Sequence, residues 1–429
     1  MKRFRILFAL GVLLFTPQSH RNASRRRRVI AAFLFLLAGV QLSPLMAQNY
    51  RINPRSVAEL PGAQGMGNAL VALPVQQSAF FYNPAHSTQS SFHLTIVGVR
   101  TSLSNNVPEQ IRFFKDDLKP AIDEGIDSLS SEELSSLYTE TLRIGRAYSF
   151  IHADVLAPSV GGKIGPLGLG IGIFGTTNVQ YNFPDAGGGL PLVNMQLVAD
   201  GMVAANAALD MSKFGVDALS AGFTAKYTSR FTTLKSKPLD AISSEEAFYL
   251  LNGDRISVDL GFMYKLPILP YFPGTFNLGL ALYDIAGSDF EFEHHSTLQG
   301  EEVQQNIESD IAAANELLNI NPSFRLGLAY SLPQIPLGIL DETGVTLDYV
   351  GYNNPGIDQA FFARLRLGVQ ARVKVFTLRT GLNQGYPTIG GGLSLGFMDL
   401  DYAYFGREEG RYPGQLASWH QLAQLRFGI

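Results

Sequence analysis

Apolar and polar residues alternate one by one in many short stretches of this chain, a pattern typical of β-strands with one apolar face. In residues 255–266 the even positions are apolar, as at Ile256 and Leu260, and the odd positions are polar or small, as at Arg255 and Asp259. The same alternation occurs in residues 222–231, 276–282, 324–330, 345–349, 361–375, 389–397 and 400–404. About fourteen such segments between residue 92 and the C-terminus predict an all-β fold.

Soluble β-sandwiches also alternate, so the choice between a sandwich and a membrane barrel depends on other features. The segments have the length of tilted membrane strands, and Tyr and Phe lie near several of their ends, where barrels carry aromatic girdles. These features predict a transmembrane antiparallel β-barrel in which Val258, Leu260, Leu365 and Leu367 face lipid. The residues predicted to face the lumen are Lys226, Arg230, Arg255, Asp259, Arg325, Arg364 and Arg366.

The N-terminus has the pattern of a secretory signal. A basic cluster at residues 25–28 precedes an apolar run at 29–40 and a short exit at 44–47. We expect cleavage after Ala47 and therefore assign residues 1–47 to a signal peptide. A membrane anchor is the alternative, but the apolar run is shorter than a bilayer span.

Three predicted connections are too long for turns and have helical character. Ser130 followed by Glu133 is a capping box within residues 105–144, and Ser243 followed by Glu246 repeats it before residue 255. Apolar stripes run along the first and third connections, at Leu118, Ile122, Ile126 and Leu129 and at Val303, Ile307, Ile311 and Leu318. Long loops lie on the extracellular side of such barrels, so these stripes should pack on one another or on the rim.

Composition narrows the functional classes. A net charge of −4 argues against a nucleic-acid partner, which calls for a basic excess. The absence of cysteine excludes disulfides and thiolate metal sites.

Patterns that suggest catalysis lack the structural context that they need. Residues 170–175 match a dinucleotide fingerprint and residues 392–396 a nucleophile elbow, but both lie in predicted strands with no helix after them. His294 and His295 adjoin Glu291 and Glu293, where the alternative to a metal site is a solvated loop, since neighbours in an extended chain point in opposite directions. We therefore expect no catalytic residue, no metal and no cofactor, with an outer-membrane enzyme only as a third alternative.

Residues 62–85 contain a glycine-rich turn, a short apolar segment and an Asn-Pro-Ala corner. The residues that define this motif are Gly62, Gly65, Met66, Gly67, Asn83, Pro84 and Ala85. Glycine allows tight turns and close backbone approach, and proline favours an extended conformation at the preceding residue. The alternative is an ordinary loop with a proline turn.

This order of motifs resembles the N-terminal segment of outer-membrane barrels related to the long-chain fatty-acid channels (FadL-like), a group that includes PorV-like secretion proteins and TraF-like conjugation proteins. The resemblance implies a barrel of fourteen strands at residues 92–429 and a hatch inside it at residues 48–91. The chain departs from the family pattern at Gln76 and Gln77, which replace an acidic pair, and at His86 and Ser87 after the corner.

The resemblance also implies a function and partners. The leading expectation is uptake or passage of hydrophobic small molecules such as fatty acids through a barrel embedded in membrane lipid of the outer membrane. The alternative is a partner-binding component of a secretion or conjugation apparatus, with an extracellular or secretion-apparatus protein as its partner.

The last segment, residues 419–429, resembles the C-terminal strand that the barrel-assembly machinery recognises. Its outward positions include Leu425, Phe427 and Ile429. Trp419, the only tryptophan, is expected at a membrane interface.

Overall fold

Among the described residues, fifteen antiparallel strands form one sheet, and fourteen of them close into a barrel. The computed structural model describes residues 60–73, 78–124, 128–145, 149–183, 192–215, 218–238, 247–266, 274–300, 302–332, 342–351 and 359–429. The predicted fold class and the expected fourteen barrel strands are confirmed. The leader at residues 1–47, the Gln76–Gln77 departure and the capping pair Ser243–Glu246 lie outside the described residues.

The elements have the following bounds. The strands are β1 (His93–Ser104), β2 (Ser149–Ile164), β3 (Leu167–Asn182), β4 (Leu192–Asp210), β5 (Leu219–Pro238), β6 (Phe248–Leu266), β7 (Thr275–Gly287), β8 (Glu293–Gln299), β9 (Ser323–Leu332), β10 (Glu342–Gly351), β11 (Leu365–Val373), β12 (Phe376–Asn383), β13 (Tyr386–Ser394), β14 (Met398–Glu408) and β15 (Ala417–Gly428). The α-helices are α1 (Pro61–Gly65), α2 (Ser78–Phe81), α3 (Val107–Phe113), α4 (Lys119–Glu124), α5 (Ser131–Gly145) and α6 (Gln304–Leu317). Short 3₁₀ segments lie at Pro84–Thr88, Met211–Phe214 and Phe361–Arg364, and a π-helical turn lies at Phe114–Leu118. Among the helices of the described residues, none is long and apolar enough to cross a bilayer.

The barrel closes because β1, the first strand, pairs with β15, the last, and because chain neighbours pair around the rest of the ring. The exception is β8, which lies outside the ring. Strand β8 pairs with residues 248–252 of β6. Strand β7 pairs with residues 257–266 of β6 on one side and with β9 on the other. The ring therefore passes directly from β7 to β9.

Side chains alternate between a buried inner face and an outer face, as the sequence predicts. In β6, Arg255 and Asp259 are buried, whereas Ile256 is exposed on the outer face. The outer face is apolar over most strands, as at Val155 and Ile171. Such a face suits lipid, and the inner face suits a polar or filled lumen.

The two ends of the barrel differ. Tight turns such as Gly165–Pro166 connect strands at one end, and the connections that contain helices α3 to α6 lie at the other. Strands β4 and β6 have 19 residues each, whereas β12 has 8. The wall is therefore much longer on one side than on the other.

Three predicted boundaries are wrong. Residues 361–364 form a 3₁₀ turn instead of the start of a strand, since Ala363 N donates to Ala360 O at 3.0 Å. The stretch at 361–375 also ends early, because Lys374 has a φ of 53° and makes the turn into β12. The strand predicted at 389–397 ends at Ser394.

Candidate functional site

The hatch occupies the barrel lumen in both of its described parts, residues 60–73 and 78–91. Leu70, Val71 and Asn83 have no exposed surface, although the chain around them is mostly irregular. Residues 69–73 contain no helix or strand, so their buried backbone groups need partners from the barrel wall or from the rest of the hatch.

Wall glycines provide the space for the hatch. Nine of them lie on inward positions of β3, β5, β6, β7, β9, β11, β12 and β13, where an added Cβ would clash with hatch atoms; they are Gly168, Gly170, Gly222, Gly261, Gly279, Gly327, Gly368, Gly381 and Gly390. We call this set the glycine belt. Three pairs of its members face each other across neighbouring strands, Gly222–Gly261, Gly279–Gly327 and Gly368–Gly381. The glycine belt was not predicted, although glycine at inward positions of the alternating strands was a usable signal in the sequence.

The glycine-rich turn of the hatch lies against β11, β12 and β13. Gly67 has a φ of +65°, and its N–H donates to Thr388 Oγ1 at 3.0 Å. The same hydroxyl donates to Gly65 O at 3.0 Å. A Cβ on Gly65 would lie 2.9 Å from Gly390 Cα, so glycine is required there by close approach of two backbones. Gly62 lies over the Arg379 guanidinium, and Met66 is fully buried.

Two charged wall residues bind the apolar part of the hatch. Asp348 on β10 accepts hydrogen bonds at Oδ2 from Leu70 N (2.7 Å) and Val71 N (2.9 Å). Arg325 on β9 donates to Asn68 O at 3.0 Å. These contacts give partners to the backbone exactly where the hatch lacks regular structure.

The Asn-Pro-Ala corner makes hydrogen bonds to the apolar part of the hatch and to the barrel wall. Asn83 is extended, with φ −151° and ψ 113°, as the following proline predicts. Its Oδ1 accepts from Ala85 N at 3.0 Å, while its Nδ2 donates to Val71 O (2.9 Å) and to Phe262 O on β6 (3.1 Å). The carbonyl of Pro84 accepts from Asn206 Nδ2 on β4 at 3.1 Å.

His86, one of the departures from the family pattern, closes the corner. Its Nε2 donates to Val71 O at 3.0 Å, and its Nδ1 accepts from the Ser78 hydroxyl at 2.5 Å. The side chain is fully buried. His86 therefore joins three parts of the hatch that are distant in sequence.

An apolar cluster lines the lumen on the side of β2, β3 and β4. Phe80 and Phe81 of the hatch pack on Phe174, with ring centroids 5.5 and 4.8 Å apart, and Leu156 and Met202 complete the cluster. Most other inward side chains of the wall are polar, so this cluster is a local apolar region inside the barrel.

The wall is interrupted beside this cluster. Between β1 and β2 the ladder pairs Thr95 with Ser159 and Gly98 with Leu156, but the residues between them make no ladder pair with each other. On the β2 side these residues are Ala157 and Pro158, where the register with β3 also shifts. Pro158 has no N–H to donate. We call residues 96–97 and 157–158 the wall break; Leu156 covers it from inside, since a Cβ on Gly98 would lie 3.0 Å from Leu156 Cδ1.

Most charges predicted to face the lumen bind other protein groups. Lys226 Nζ contacts Asp259 (2.8 Å) and Asp284 (3.0 Å), and all three are buried. Arg366 NH1 donates to Ala363 O at 2.8 Å. Arg364 belongs to the 3₁₀ turn before β11, where its Nε donates to Gln359 O at 2.8 Å, so it is not a strand position.

Arg230 and Arg255 bind the end of helix α6. Arg230 forms a two-contact pair with Asp200 at 2.8 Å and donates from NH1 to Leu318 O at 3.1 Å. Arg255 NH2 donates to Ile320 O at 3.0 Å. Both cations also lie over the Phe290 ring. Leu318 caps the C-terminal end of α6, where cations are favoured, and Ile320 lies in the segment that follows.

Helix α6 covers the lumen at the end with the long connections. Its Ile307, together with Leu318 beyond its end, packs with inward residues Leu234, Tyr249 and Leu251 of β5 and β6. Val303, predicted on the same face, is 46% exposed because it precedes the first helical turn.

The capping box at Ser130 and Glu133 is confirmed. Glu133 N donates to Ser130 Oγ at 3.3 Å, and Ser130 N donates to Glu133 Oε2 at 2.9 Å. The Ser130 hydroxyl also donates to Glu133 Oε2 at 2.7 Å, and this hydrogen bond, together with the one from Ser130 N, lowers the pKa of the Glu133 carboxyl from its ordinary value.

Two polar cavities lie at the end with the short turns. One of about 470 Å³ is lined by Lys163, Asp210 and Lys265, among others. The other, of about 350 Å³, lies below Leu60 and is lined by Arg379 and Asp401, among others. The axial exit from the hatch at this end is therefore charged.

The C-terminal strand has the predicted orientation. Leu425 and Phe427 are exposed on the outer face of β15, and Ile429, directly after the strand, is exposed as well. Trp419 stacks on Tyr404 with centroids 5.4 Å apart, at the extracellular end of β14 and β15.

The described residues contain no cluster of three or more His, Asp or Glu side chains that could hold a metal ion. Residues 170–175 lie inside β3, and Gly170 and Gly172 lie beside Phe80 and Phe174. Residues 392–396 run from the end of β13 into the turn before β14. Neither the dinucleotide fingerprint nor the nucleophile elbow is therefore followed by the helix that its chemistry requires.

The closed register and the occupied lumen define the class of this chain, a transmembrane antiparallel β-barrel of fourteen strands with an N-terminal hatch. It is similar to the Pseudomonas putida toluene transporter TodX, with 10% identity, 89% of this chain and 98% of that chain covered, and a TM-score of 0.46. It is also similar to a Pseudomonas aeruginosa FadL homologue (10% identity, 86% and 97% covered, TM-score 0.42) and to the translocator domain of the autotransporter NalP from Neisseria meningitidis (8%, 79% and 87%, 0.37). No family model and no curated protein matches the chain. These identities are too low to transfer a ligand from any of these proteins.

Proposed function

We propose that this barrel passes hydrophobic small molecules across the bacterial outer membrane, to which a cleaved signal peptide at residues 1–47 exports it and into which the barrel-assembly machinery inserts it. Fatty acids are the substrates that the resemblance of residues 62–85 implies. Three steps make up the proposed path: capture at the loop helices, movement along the hatch, and exit through the wall.

The apolar cluster beside the wall break is the observation that carries this proposal. Phe80, Phe174 and Leu156 form a buried apolar cluster that extends from the hatch to residues 96–97 and 157–158. If these side chains move apart, an apolar molecule in an otherwise polar lumen is most stable between them, because burial away from water is its main driving force.

The charged cavities at the short-turn end favour an exit to the side. A hydrophobic molecule that left along the barrel axis would pass Lys163, Lys265 and Arg379. A molecule that left through the wall break would pass only Leu156 on the inside before it reached Ile96 and Pro158 on the lipid side. Movement of Leu156 would open this path, since that side chain is buried over the break.

The chain has no cysteine, so a crosslink can test this path cleanly. A Val97→Cys/Ala157→Cys pair lies across the wall break, and a Val99→Cys/Val155→Cys pair lies two residues further along the intact ladder. We expect the first disulfide to abolish uptake of a labelled fatty acid into proteoliposomes, and reductant to restore it. The matched control pair should leave uptake unchanged.

Uptake that persists with a complete Val97–Ala157 crosslink would exclude this exit. Equal loss with both pairs would show that general rigidity of the β1–β2 wall, and not the break, limits transport. Absence of saturable uptake by the uncrosslinked protein would reject the transport proposal itself.

The alternative, a partner-binding component of a secretion or conjugation apparatus, has one feature in its favour. The connection between β1 and β2 exposes acidic residues outside the barrel, among them Asp116, Asp117 and Glu132. Replacement of residues 107–145 by a short Gly-Ser turn distinguishes the two functions. A secretion component would lose its partner in co-purification from native membranes, whereas a channel would keep the wall break and its dependence on the Val97–Ala157 crosslink.

A further inference from the structure

We infer that the molecule that leaves through the wall break carries an uncharged oxygen head group, as an alcohol, an ester or a protonated acid does, and that Asp154 excludes ionised carboxylates from this exit. The inference rests on the proposed function and adds the chemical class of the substrate to it. It assigns a head-group site to the row of inward residues directly above the apolar cluster.

The head-group site lies one inward position above the apolar cluster on neighbouring strands. In the cluster, Leu156 of β2 pairs with Phe174 of β3. Two residues nearer the extracellular end, and therefore on the same face of the wall, Asp154 of β2 pairs with Arg100 of β1 on one side and with Thr176 of β3 on the other. Two strand residues span about 7 Å, so a molecule whose apolar part lies on the cluster reaches this row with its head.

The charges of this row are already matched. Arg100 forms an ion pair with Asp154, and both side chains are fully buried. His152 Nε2 lies 2.8 Å from the other oxygen of the same carboxylate. The next carboxylate in the row, Asp200 of β4, is bound by Arg230. A ligand carboxylate would therefore have to displace Asp154 from Arg100 or lie beside it, and both are unfavourable in a buried site.

Two buried polar atoms of the row suit an uncharged oxygen. Arg100 NH1 and the Thr176 hydroxyl have no hydrogen-bond partner within the part of the chain that the structure describes. A buried donor without a partner is costly, and a hydroxyl or carbonyl oxygen would relieve that cost without a second negative charge beside Asp154. Entry requires the side chains of the row to move apart, as it does for the apolar cluster, because both are buried.

The wall break favours the same class of molecule. On its way out a head group passes Leu156 on the inside and then Ile96 and Pro158 on the lipid side. Transfer of an ionised group into such an apolar environment without a partner costs far more than transfer of a hydroxyl. An ionised fatty acid is therefore disfavoured at two successive points, and a neutral molecule of the same chain length is not.

Photolabelling of the full-length barrel in vesicles tests this inference. The probes are two alkyl diazirines of the same chain length, one with a terminal hydroxyl and one with a terminal sulfonate, which stays ionised at any working pH. Mass spectrometry resolved to the residue compares labelling of Leu156, which faces inward, with labelling of Val155, which faces lipid. The hydroxyl-to-sulfonate ratio at Leu156, divided by the same ratio at Val155, corrects for partition into the bilayer, and we expect it to be at least about tenfold.

The variant Asp154→Asn keeps the shape of the side chain and leaves Arg100 without its carboxylate. We expect sulfonate labelling of Leu156 to rise at least about tenfold in this variant. Asp401→Asn, which removes the partner of Arg379 away from the break, is the matched control and should leave the ratio unchanged. The double variant Arg100→Gln/Asp154→Asn has neither charge, so it should exclude the sulfonate as the wild type does, and it tests the pair even where Asp154→Asn alone does not fold.

The possible results separate the inference from the proposed function. Equal normalised labelling of Leu156 by both probes in the wild type would overturn the inference and leave the proposed path standing. Sulfonate labelling that is unchanged in a folded Asp154→Asn barrel, or raised in the double variant, would overturn the role of Asp154. Absence of Leu156 labelling by either probe, with Val155 labelled, would instead reject the path through the wall break.

Discussion

Asp348 of the barrel wall binds the backbone of Val71 in the hatch, with Oδ2 accepting from the amide nitrogen at 2.9 Å. The same oxygen accepts from Leu70 N, so one carboxylate satisfies two adjacent amides that have no secondary structure around them. All three residues are fully buried. The position of the apolar part of the hatch depends on this contact more than on any regular element of its own.

Removal of the Asp348 carboxylate should therefore loosen the hatch without unfolding the barrel. Asp348→Ala leaves two buried amides without a partner, at a cost of about 1–3 kcal/mol each, and we expect raised ion conductance in planar bilayers. Asp401→Ala, which removes the partner of Arg379 in the wall nearer the short turns, is the control, and its ion conductance should be lower than that of Asp348→Ala. Unchanged conductance of a folded Asp348→Ala barrel would show that the remaining contacts hold the hatch.

The glycine belt should be intolerant of any side chain. A Cβ at Gly261 would clash with Asn83 Oδ1 and lie 2.6 Å from Pro84 Cδ, so Gly261→Ala should displace the corner. Overpacking of this kind costs about 1–3 kcal/mol, to be measured as a shift of the urea midpoint for unfolding in lipid. Gly201→Ala on the outer face of β4, where no atom lies within 4 Å of the added Cβ, should be close to neutral. A neutral Gly261→Ala would mean that the corner relaxes freely.

A charge placed on the outward face of β6 should destabilise the folded barrel more the deeper it lies in the membrane. Leu260→Arg should destabilise the folded barrel by about 2–4 kcal/mol, while a charge near an interface should cost about 0–1 kcal/mol. Tyr264→Arg, four residues nearer the short-turn end on the same face, provides the comparison. Spin labels at residues 260 and 365 should report lipid; a signal from water at either would contradict the assigned orientation.

The contact of Arg230 with Leu318 O should hold helix α6 over the lumen. Arg230→Met alone would break the buried Arg230–Asp200 pair on one side, which is destabilising by about 3–5 kcal/mol. The double variant Asp200→Asn/Arg230→Met removes the charge pair and the carbonyl contact together and avoids that penalty. We expect this double variant to fold and to show faster proteolysis or hydrogen exchange within Gln304–Leu317. Asp200→Asn alone keeps the carbonyl donor but leaves the buried Arg230 cation without its carboxylate, so α6 exchange is compared in each variant relative to that variant's own global stability. Equal relative protection of α6 in both variants would assign α6 to its apolar contacts only.

The strands were predictable because their signal is local. Most outward apolar residues, such as Ile256, are followed by an inward polar or small residue, and this pattern can be read without knowledge of the rest of the chain. The segment at 361–375 failed at its ends for a local reason as well, since Ala360 starts a 3₁₀ turn and Lys374 adopts a positive φ that its residue type does not favour.

The seating of the hatch was not predictable from the sequence in the same way. Asn83 meets Phe262 across 179 residues, and Asn68 meets Arg325 across 257 residues. The roles of Arg230 and Arg255 likewise depend on the end of a helix that lies in another connection. Charge and parity predicted that these side chains point inward, but the partner of each is set by tertiary packing.

Because the strands differ in length around the barrel, the outer opening is higher on one side than on the other. Strands β4 to β6 are about ten residues longer than β12 and β13. Tilted strands rise about 2.4 Å per residue along the barrel axis. With the short-turn ends level, the tall side therefore stands roughly 25 Å above the low side. The rim of the barrel therefore slopes from β4 to β6 down to β12 and β13. A molecule that diffuses along the cell surface would meet the short wall at β12 and β13 on one side and the tall wall of β4 to β6 on the other. Approach over the short wall would therefore be favoured over approach from above.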